Sequence, residues 1–332
     1  MKSVTIPYRQ ENHGDFDAEW PAQRKVSGWW YITGYFSEPA GPEHLYSYQF
    51  TVVKPRVFGF SPWILQLAIT DVQSGKHHFT QRMALSDPEI YVTGDVVHYQ
   101  SLAHLKREAN CMHLSVKAET FDLNLRLEKG KGAFWHADDG VLVMGGWEDP
   151  KRRTVYYSYT NMPTAGEVVL HDPQGEHKTM TVRGKSWFDR QWGPYALIKA
   201  NTHWEWFSLR FFDNEEVMLF AFPQCPYYDG TYIGRNGERR LVRDYTLTAQ
   251  GFTEAAGMTF SKGWELVMPG VKEERYTIRP LTDGQLNLAY FELLAGIYNA
   301  AGEQVGLCMV ELLPGARNPQ RKINFLNLFR KV

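Results

Sequence analysis

Apolar positions along this chain come in short runs of β-branched and aromatic residues, each ended by Gly, Pro, Asn or Asp. Long helical periodicity is nearly absent. Residues 27–36, 45–54 and 63–72 predict consecutive strands, with turn chemistry at Pro39-Ala40-Gly41-Pro42 and Ser74-Gly75-Lys76. Strands follow at 112–118, 121–127, 155–160, 166–171 and 178–184, with a hairpin turn at Asp172-Pro173-Gln174-Gly175. The pattern restarts after Gly193. Residues 204–212 and 217–222 flank a second hairpin turn, Asp213-Asn214-Glu215-Glu216, and further strands fall at 244–248, 264–268, 275–279, 288–298 and 304–312. Many short strands separated by turns predict an all-β chain of sandwiches or up-and-down barrels, without a parallel α/β sheet. Two segments read as helices. Residues 102–110 are charged and suit an exposed helix, and 320–331 are amphipathic, with Ile323, Leu326 and Phe329 on one face.

A chain of 332 residues exceeds what one hydrophobic core usually holds, so two domains are expected, 1–185 and 186–332. A sequence echo agrees with a tandem. Trp29-Trp30-Tyr31 opens one strand–hairpin unit, and about 175 residues later Trp204-Glu205-Trp206 opens a similar one.

With 11 Trp, 18 Tyr and 19 Phe, the chain has rings enough for barrel cores and for walls around an apolar or planar ligand. A net charge of −1 leaves no basic footprint for nucleic acid and no polybasic run for a membrane surface. No apolar run approaches the roughly 20 residues that span a bilayer, and residues 1–12 lack the apolar stretch of a leader. Cys111, Cys225 and Cys308 lie far apart with no CxxC pair, which predicts reduced thiols and a cytoplasmic location. Nucleotide-binding glycine loops, HExxH, GxSxG and EF-hand signatures are all missing, and His77-His78 has no nearby third ligand. The expectation is therefore no metal and no cofactor.

The segment Gly184-Lys185-Ser186-Trp187-Phe188-Asp189-Arg190-Gln191-Trp192-Gly193 carries the candidate chemistry. In a strand, Trp187 and Asp189 share one face while Ser186 and Phe188 point the other way. A carboxyl between the indoles of Trp187 and Trp192 is partly desolvated, which favours the protonated form and suits a general acid. In the competing reading Asp189 pairs with Arg190 or caps the turn before Pro194, and Trp187 is core. Other candidates for lining a ligand site are Tyr157, Trp204, Trp206 and Glu292. Tyr157 either donates to a ligand or bonds to backbone. Trp204 and Trp206 either wall a cavity or fill a core. Glu292, an acid in the apolar stretch Ala289-Tyr290-Phe291-Glu292-Leu293, either lines a barrel interior with a partner or faces solvent.

At these residues the chain resembles the AttH-like family, which includes the carotenoid 1,2-hydratases. The resemblance rests on Gly28-Trp29-Trp30-Tyr31-Ile32-Thr33-Gly34-Tyr35, Tyr156-Tyr157-Ser158, the Gly184–Gly193 junction and Trp204-Glu205-Trp206-Phe207-Ser208, four motifs in the family's order. It implies tandem lipocalin-like β-barrels (or a barrel plus a sandwich) with an apolar ligand pocket. It also implies chemistry on isoprenoid double bonds or polyketide-derived chains, with Asp189 at the position of the proposed proton donor. The chain departs from the family pattern at Gly28, where a Glu is usual, at Tyr35, where a His is common, and at Arg190-Gln191, which replaces His-Glu. The last change sets a cation beside Asp189 that would hold it ionised if the two met. The function expected is a cofactor-independent enzyme that hydrates, isomerises or cyclises a hydrophobic molecule. The alternative is a non-catalytic lipocalin-like carrier. A third reading, a carbohydrate-binding module, needs Trp29, Trp30, Trp204 or Trp206 exposed.

Overall fold

The computed structural model describes residues 6, 13–56, 61–145, 150–172, 175–194, 204–223 and 228–313. Apart from one 3-10 turn at Pro150–Arg152, the regular structure among them is strand, and the protein is all-β. A first sheet contains β1 (Ser27–Glu38), β2 (Gly41–Lys54), β3 (Trp63–Asp71), β4 (His77–Ala84), β5 (Ile90–Thr93), β6 (Val96–Tyr99), β7 (Ala103–Arg107), β8 (Cys111–Lys117), β9 (Phe121–Glu128), β10 (Ala133–Trp135), β11 (Val141–Val143), β12 (Arg153–His171) and β13 (His177–Gly193). Its spatial order is β4-β3-β2-β1-β13-β12-β9-β8-β7-β6-β5, with β10 and β11 also on β12.

After it come β14 (Glu205–Phe211), β15 (Glu216–Ala221), β16 (Tyr228–Ile233), β17 (Arg239–Leu241), β18 (Thr246–Ala249), β19 (Phe252–Ala255), β20 (Met258–Ser261), β21 (Trp264–Val267), β22 (Arg275–Pro280), β23 (Leu286–Asn287), β24 (Tyr290–Tyr298) and β25 (Gln304–Leu312). They form a sheet ordered β17-β16-β15-β14-β25-β24-β22-β21-β18, while β19 and β20 pair separately. The two large sheets share one connectivity. In each, a four-strand meander turns its first strand, β1 or β14, against the last long strand, β13 or β25. The Trp-rich segments that echo in the sequence thus occupy equivalent strands.

Residues 102–110 are not helical. Ala103, Leu105 and Arg107 are buried while Lys106 is exposed and His104 half-buried, a period of two that makes β7 a strand. Of its charges, Lys106 faces outward and Arg107 inward, so charge does not follow the alternation. The segment 320–331 lies outside the described residues. Residues 155–160 and 166–171 belong to one strand, β12. It continues through Asn161, whose positive φ of 45° an Asn tolerates better than most residues.

Strand β13 runs through the expected boundary at 185/186. Of the described residues, those within 13–134 and 157–192 make up one compact unit, and those within 135–156 and 193–313 the other, so each unit draws on separated stretches of chain. In the second unit Phe207, Leu209 and Phe211 of β14 join Val217, Leu219, Val310 and Trp264 in one apolar cluster. The alternate residues Trp206, Ser208 and Arg210 are buried as well. The sheet is therefore covered on both faces, one apolar and the other with polar groups.

Gly184 on β13 sits where a Cβ would fall 1.9 Å from the Tyr35 carbonyl and 2.6 Å from the Phe36 Cα. Backbone on β1 cannot give way as a flexible side chain can. Gly184→Ala should lower the unfolding free energy by about 1–3 kcal/mol, read as an earlier midpoint in urea. A midpoint equal to the wild type would contradict this close approach.

Candidate functional site

The strand alternation of β13 separates two sets of groups. Ser186, Phe188 and Arg190 lie on one face, and Trp187 and Asp189 on the other. On the first face the Ser186 hydroxyl hydrogen-bonds to Thr164 Oγ1 at 2.6 Å and to the Tyr48 hydroxyl at 2.5 Å. Phe188 stacks on Trp20 with ring centroids 5.4 Å apart. Arg190, 1% exposed, donates to the carbonyls of Trp20, Pro21, Trp29 and Gln191 at 2.7–3.3 Å and lies 4.2 Å over the Trp30 ring. Its planar fork suits several carbonyls at once. Burial lowers its pKa to about 10, which leaves it charged at neutral pH. The cation expected to meet Asp189 is thus directed to backbone carbonyls through the opposite face.

Asp189 is 4% exposed. Its Oδ1 accepts from the Trp187 indole at 2.6 Å and from the Ser158 hydroxyl on the adjoining strand β12. These two donors fix the carboxyl plane. Neither the pairing with Arg190 nor the turn cap describes this arrangement. Trp192 is half-buried and donates to Glu19 Oε2 at 2.8 Å, so its indole is tied to a different acid. The Tyr157 hydroxyl donates to the Phe16 carbonyl at 3.2 Å, the backbone-bonded alternative, and burial pushes its pKa far above the usual phenol value.

The remaining candidates belong to the second unit and fall on its polar face. Register places Glu292, Glu311, Trp206, Phe220 and Asp229 in one row across β24, β25, β14, β15 and β16. Trp206 donates its indole N–H to the Tyr156 hydroxyl at 3.0 Å, and Trp204 donates to Glu311. His136 bonds to Thr231 at 2.9 Å and packs on Tyr156. Its full burial, with Arg239 nearby, lowers its pKa to about 3, so it is neutral. Glu292, 3% exposed, does not face solvent; it stands cross-strand from Glu311 and the two carboxyls hydrogen-bond. Enclosure pushes Glu311 above the ordinary carboxylate value, and the bonds from Trp204 and Glu292 pull it partly back. The residue was missed in the sequence. Its signal was the same as that of Glu292, an acid within an otherwise apolar strand.

Trp30, Trp204 and Trp206 are each 5% exposed or less and Trp29 is half-buried, so these four do not form the exposed platform that a carbohydrate-binding module would need of them. A cleft of about 360 Å³ in the first unit is lined by Tyr46, Ile69 and Leu170 together with His44, Asp71 and His171 among others, so its wall is mixed. No helix among the described residues is long and apolar enough to cross a membrane.

Two curled antiparallel sheets of equivalent connectivity, each meander closed on its last long strand, define a tandem lipocalin-like protein. The chain belongs to the AttH-like family, whose model matches residues 3–315. Among solved structures it is similar to an AttH-type protein of Nitrosomonas europaea (TM-score 0.79, 20% identity, covering 94% of this chain and 99% of that one). It is also similar to kievitone hydratase of Nectria haematococca (TM-score 0.71, 16% identity, 90% and 93%). CghA in complex with Sch210972 follows at TM-score 0.60 and 12% identity, covering 94% of each chain. At these identities the likeness is one of fold. No curated protein matches by sequence.

Glu311 has a pKa raised in the folded state, so the stability it lends is complete below the ordinary glutamate value and is lost as pH climbs through the raised one. Glu311→Gln keeps the acceptor for Trp204 without the ionisation. The variant should match wild type in urea midpoint at pH 4 and exceed it at pH 8. Parallel pH profiles for the two proteins would refute the raised value.

Proposed function

We propose that the protein is an enzyme acting on a hydrophobic isoprenoid- or polyketide-derived molecule, and that Asp189 delivers or removes the proton in hydration, isomerisation or cyclisation of a double bond. The observation that carries this reading is the grip on Asp189 by Ser158 and Trp187. A carboxyl gripped by two donors is held along a fixed direction, and proton transfer by a positioned acid depends on that direction before anything else. Protonating an alkene or carbonyl develops positive charge, which aromatic faces stabilise. Holding a flexible chain in its reactive shape adds to the rate by orientation alone.

The solved relatives support the class. Kievitone hydratase is by name a hydratase, and CghA binds Sch210972 in its crystal structure. Fold likeness does not transfer a reaction, so the reading for this chain rests on Asp189 and its two donors. Within it, the first-unit group Trp187, Asp189 and Ser158 supplies the acid. Trp204, Trp206 and the Glu292–Glu311 pair offer a second polar face of the same chemical character.

Compounds extracted from the purified protein and identified by mass spectrometry would supply the substrate. With it, Asp189→Asn should lower kcat by about 10²–10⁴-fold, the usual share of a positioned acid, and Ser158→Ala should cause a smaller loss. Turnover unchanged in Asp189→Asn would exclude the acid role. A ligand recovered unaltered, bound equally by wild type and Asp189→Asn, would instead make the protein a carrier.

A further inference from the structure

The turn between β7 and β8 gathers three metal-ligating side chains that the chemistry at Asp189 does not use. The Glu108 amide donates to the Cys111 carbonyl at 2.8 Å, which closes a four-residue turn over Glu108-Ala109-Asn110-Cys111. This sets Glu108 across from Cys111, and His113 follows two residues on along the same face of β8. The pattern Glu-x-x-Cys-x-His therefore converges through local backbone geometry, and all three groups come from six consecutive residues.

Their atoms are spaced as a tetrahedral ion would space them. Cys111 Sγ lies 3.4 Å from His113 Nε2 and 3.7 Å from Glu108 Oε2, and His113 Nε2 lies 3.5 Å from the same Oε2. Bond lengths of about 2.3 Å to sulfur and about 2.0–2.1 Å to nitrogen and oxygen at tetrahedral angles demand separations of roughly 3.3–3.6 Å. The three atoms together fall within 4.8 Å of one another. Lys106 holds the other carboxylate oxygen, Oε1, at 2.8 Å, so Oε2 is turned towards the thiol and the imidazole. Arg126 is paired cross-strand with His113, beside the cluster. Cys111 is buried, whereas the side chains of Glu108 and His113 are about two-fifths exposed, so an ion has a route in from solvent.

We propose that Glu108, Cys111 and His113 form a binding site for a single zinc-like divalent cation, with the fourth position open to solvent. One thiolate, one imidazole and one carboxylate make a borderline-soft donor set that suits zinc over magnesium or calcium. Binding displaces the thiol proton, so the affinity rises with pH. The site is independent of the role assigned to Asp189.

Cobalt(II) titrated into the intact, reduced chain tests the site, because a thiolate ligand gives a near-ultraviolet charge-transfer band that sites of histidine and carboxylate alone, such as the cleft around His171, do not give. The expected result is saturation at one equivalent, visible bands of a four-coordinate ion and displacement by zinc. Cys111→Ser should abolish the charge-transfer band, while His113→Ala and Glu108→Gln should keep the thiol and require more cobalt to reach it. Circular dichroism shows whether each variant is folded. Should Cys111→Ser fail to fold, the other two variants decide the matter. No charge-transfer band in the wild type, a band of full intensity in Cys111→Ser, or titrations of His113→Ala and Glu108→Gln indistinguishable from wild type would overturn the site.

Discussion

A sheet buried on both faces can carry polar side chains only where each finds a partner, and this requirement organises both units. One face of each sheet is apolar or aromatic. The other holds acids, amides, hydroxyls and indoles away from water, where an unpaired polar group costs roughly 1–3 kcal/mol. Many of these groups are held in cross-strand and same-strand pairs. Gln66 bonds to Gln81 at 2.8 Å, Gln49 to Thr51 at 2.9 Å, Asp189 to Ser158 and Trp187, and Trp206 to Tyr156. Indole is well suited to this, since it covers apolar area and supplies one N–H. Trp187, Trp192, Trp204, Trp206 and Trp264 each donate that N–H to an acid or to a tyrosine hydroxyl.

The same requirement explains why Arg190 beside Asp189 leaves the carboxyl with other partners. Adjacent strand residues point to opposite faces, so sequence neighbours separate by the thickness of the sheet. The guanidinium reaches four carbonyls near Trp20, Trp29 and Gln191 on its own face, and the carboxyl meets a hydroxyl and an indole on the other. A like separation ties Trp192 to Glu19 although it lies three residues from Asp189.

Much of the fold was legible in the sequence. Short runs of β-branched and aromatic residues, with turn residues between them, located β1–β3, β8, β9, β14, β15, β21, β22 and β25, because those strands are bounded by strong breakers. The strands β4, β5, β6, β16, β17 and β19 were missed. The segment 102–110 misled because its charges obscured the alternation of Ala103, Leu105 and Arg107. Of the candidate site, the pairing of Trp187 with Asp189 followed from strand geometry alone. The partners from other strands, Ser158 for Asp189 and Glu311 for Glu292, depend on which strands adjoin and in what register. A single sequence does not encode that locally.

The role proposed for Asp189 is to exchange a proton with carbon on one face of a bound substrate. Turnover in D₂O, with the position and configuration of the label read by NMR of the product, tests it most directly. Wild type should place one solvent deuteron on a single face, and Asp189→Asn should form that labelled product about 10²–10⁴-fold more slowly. Label scrambled between both faces, or the same labelled product at the same rate from the variant, would contradict that role.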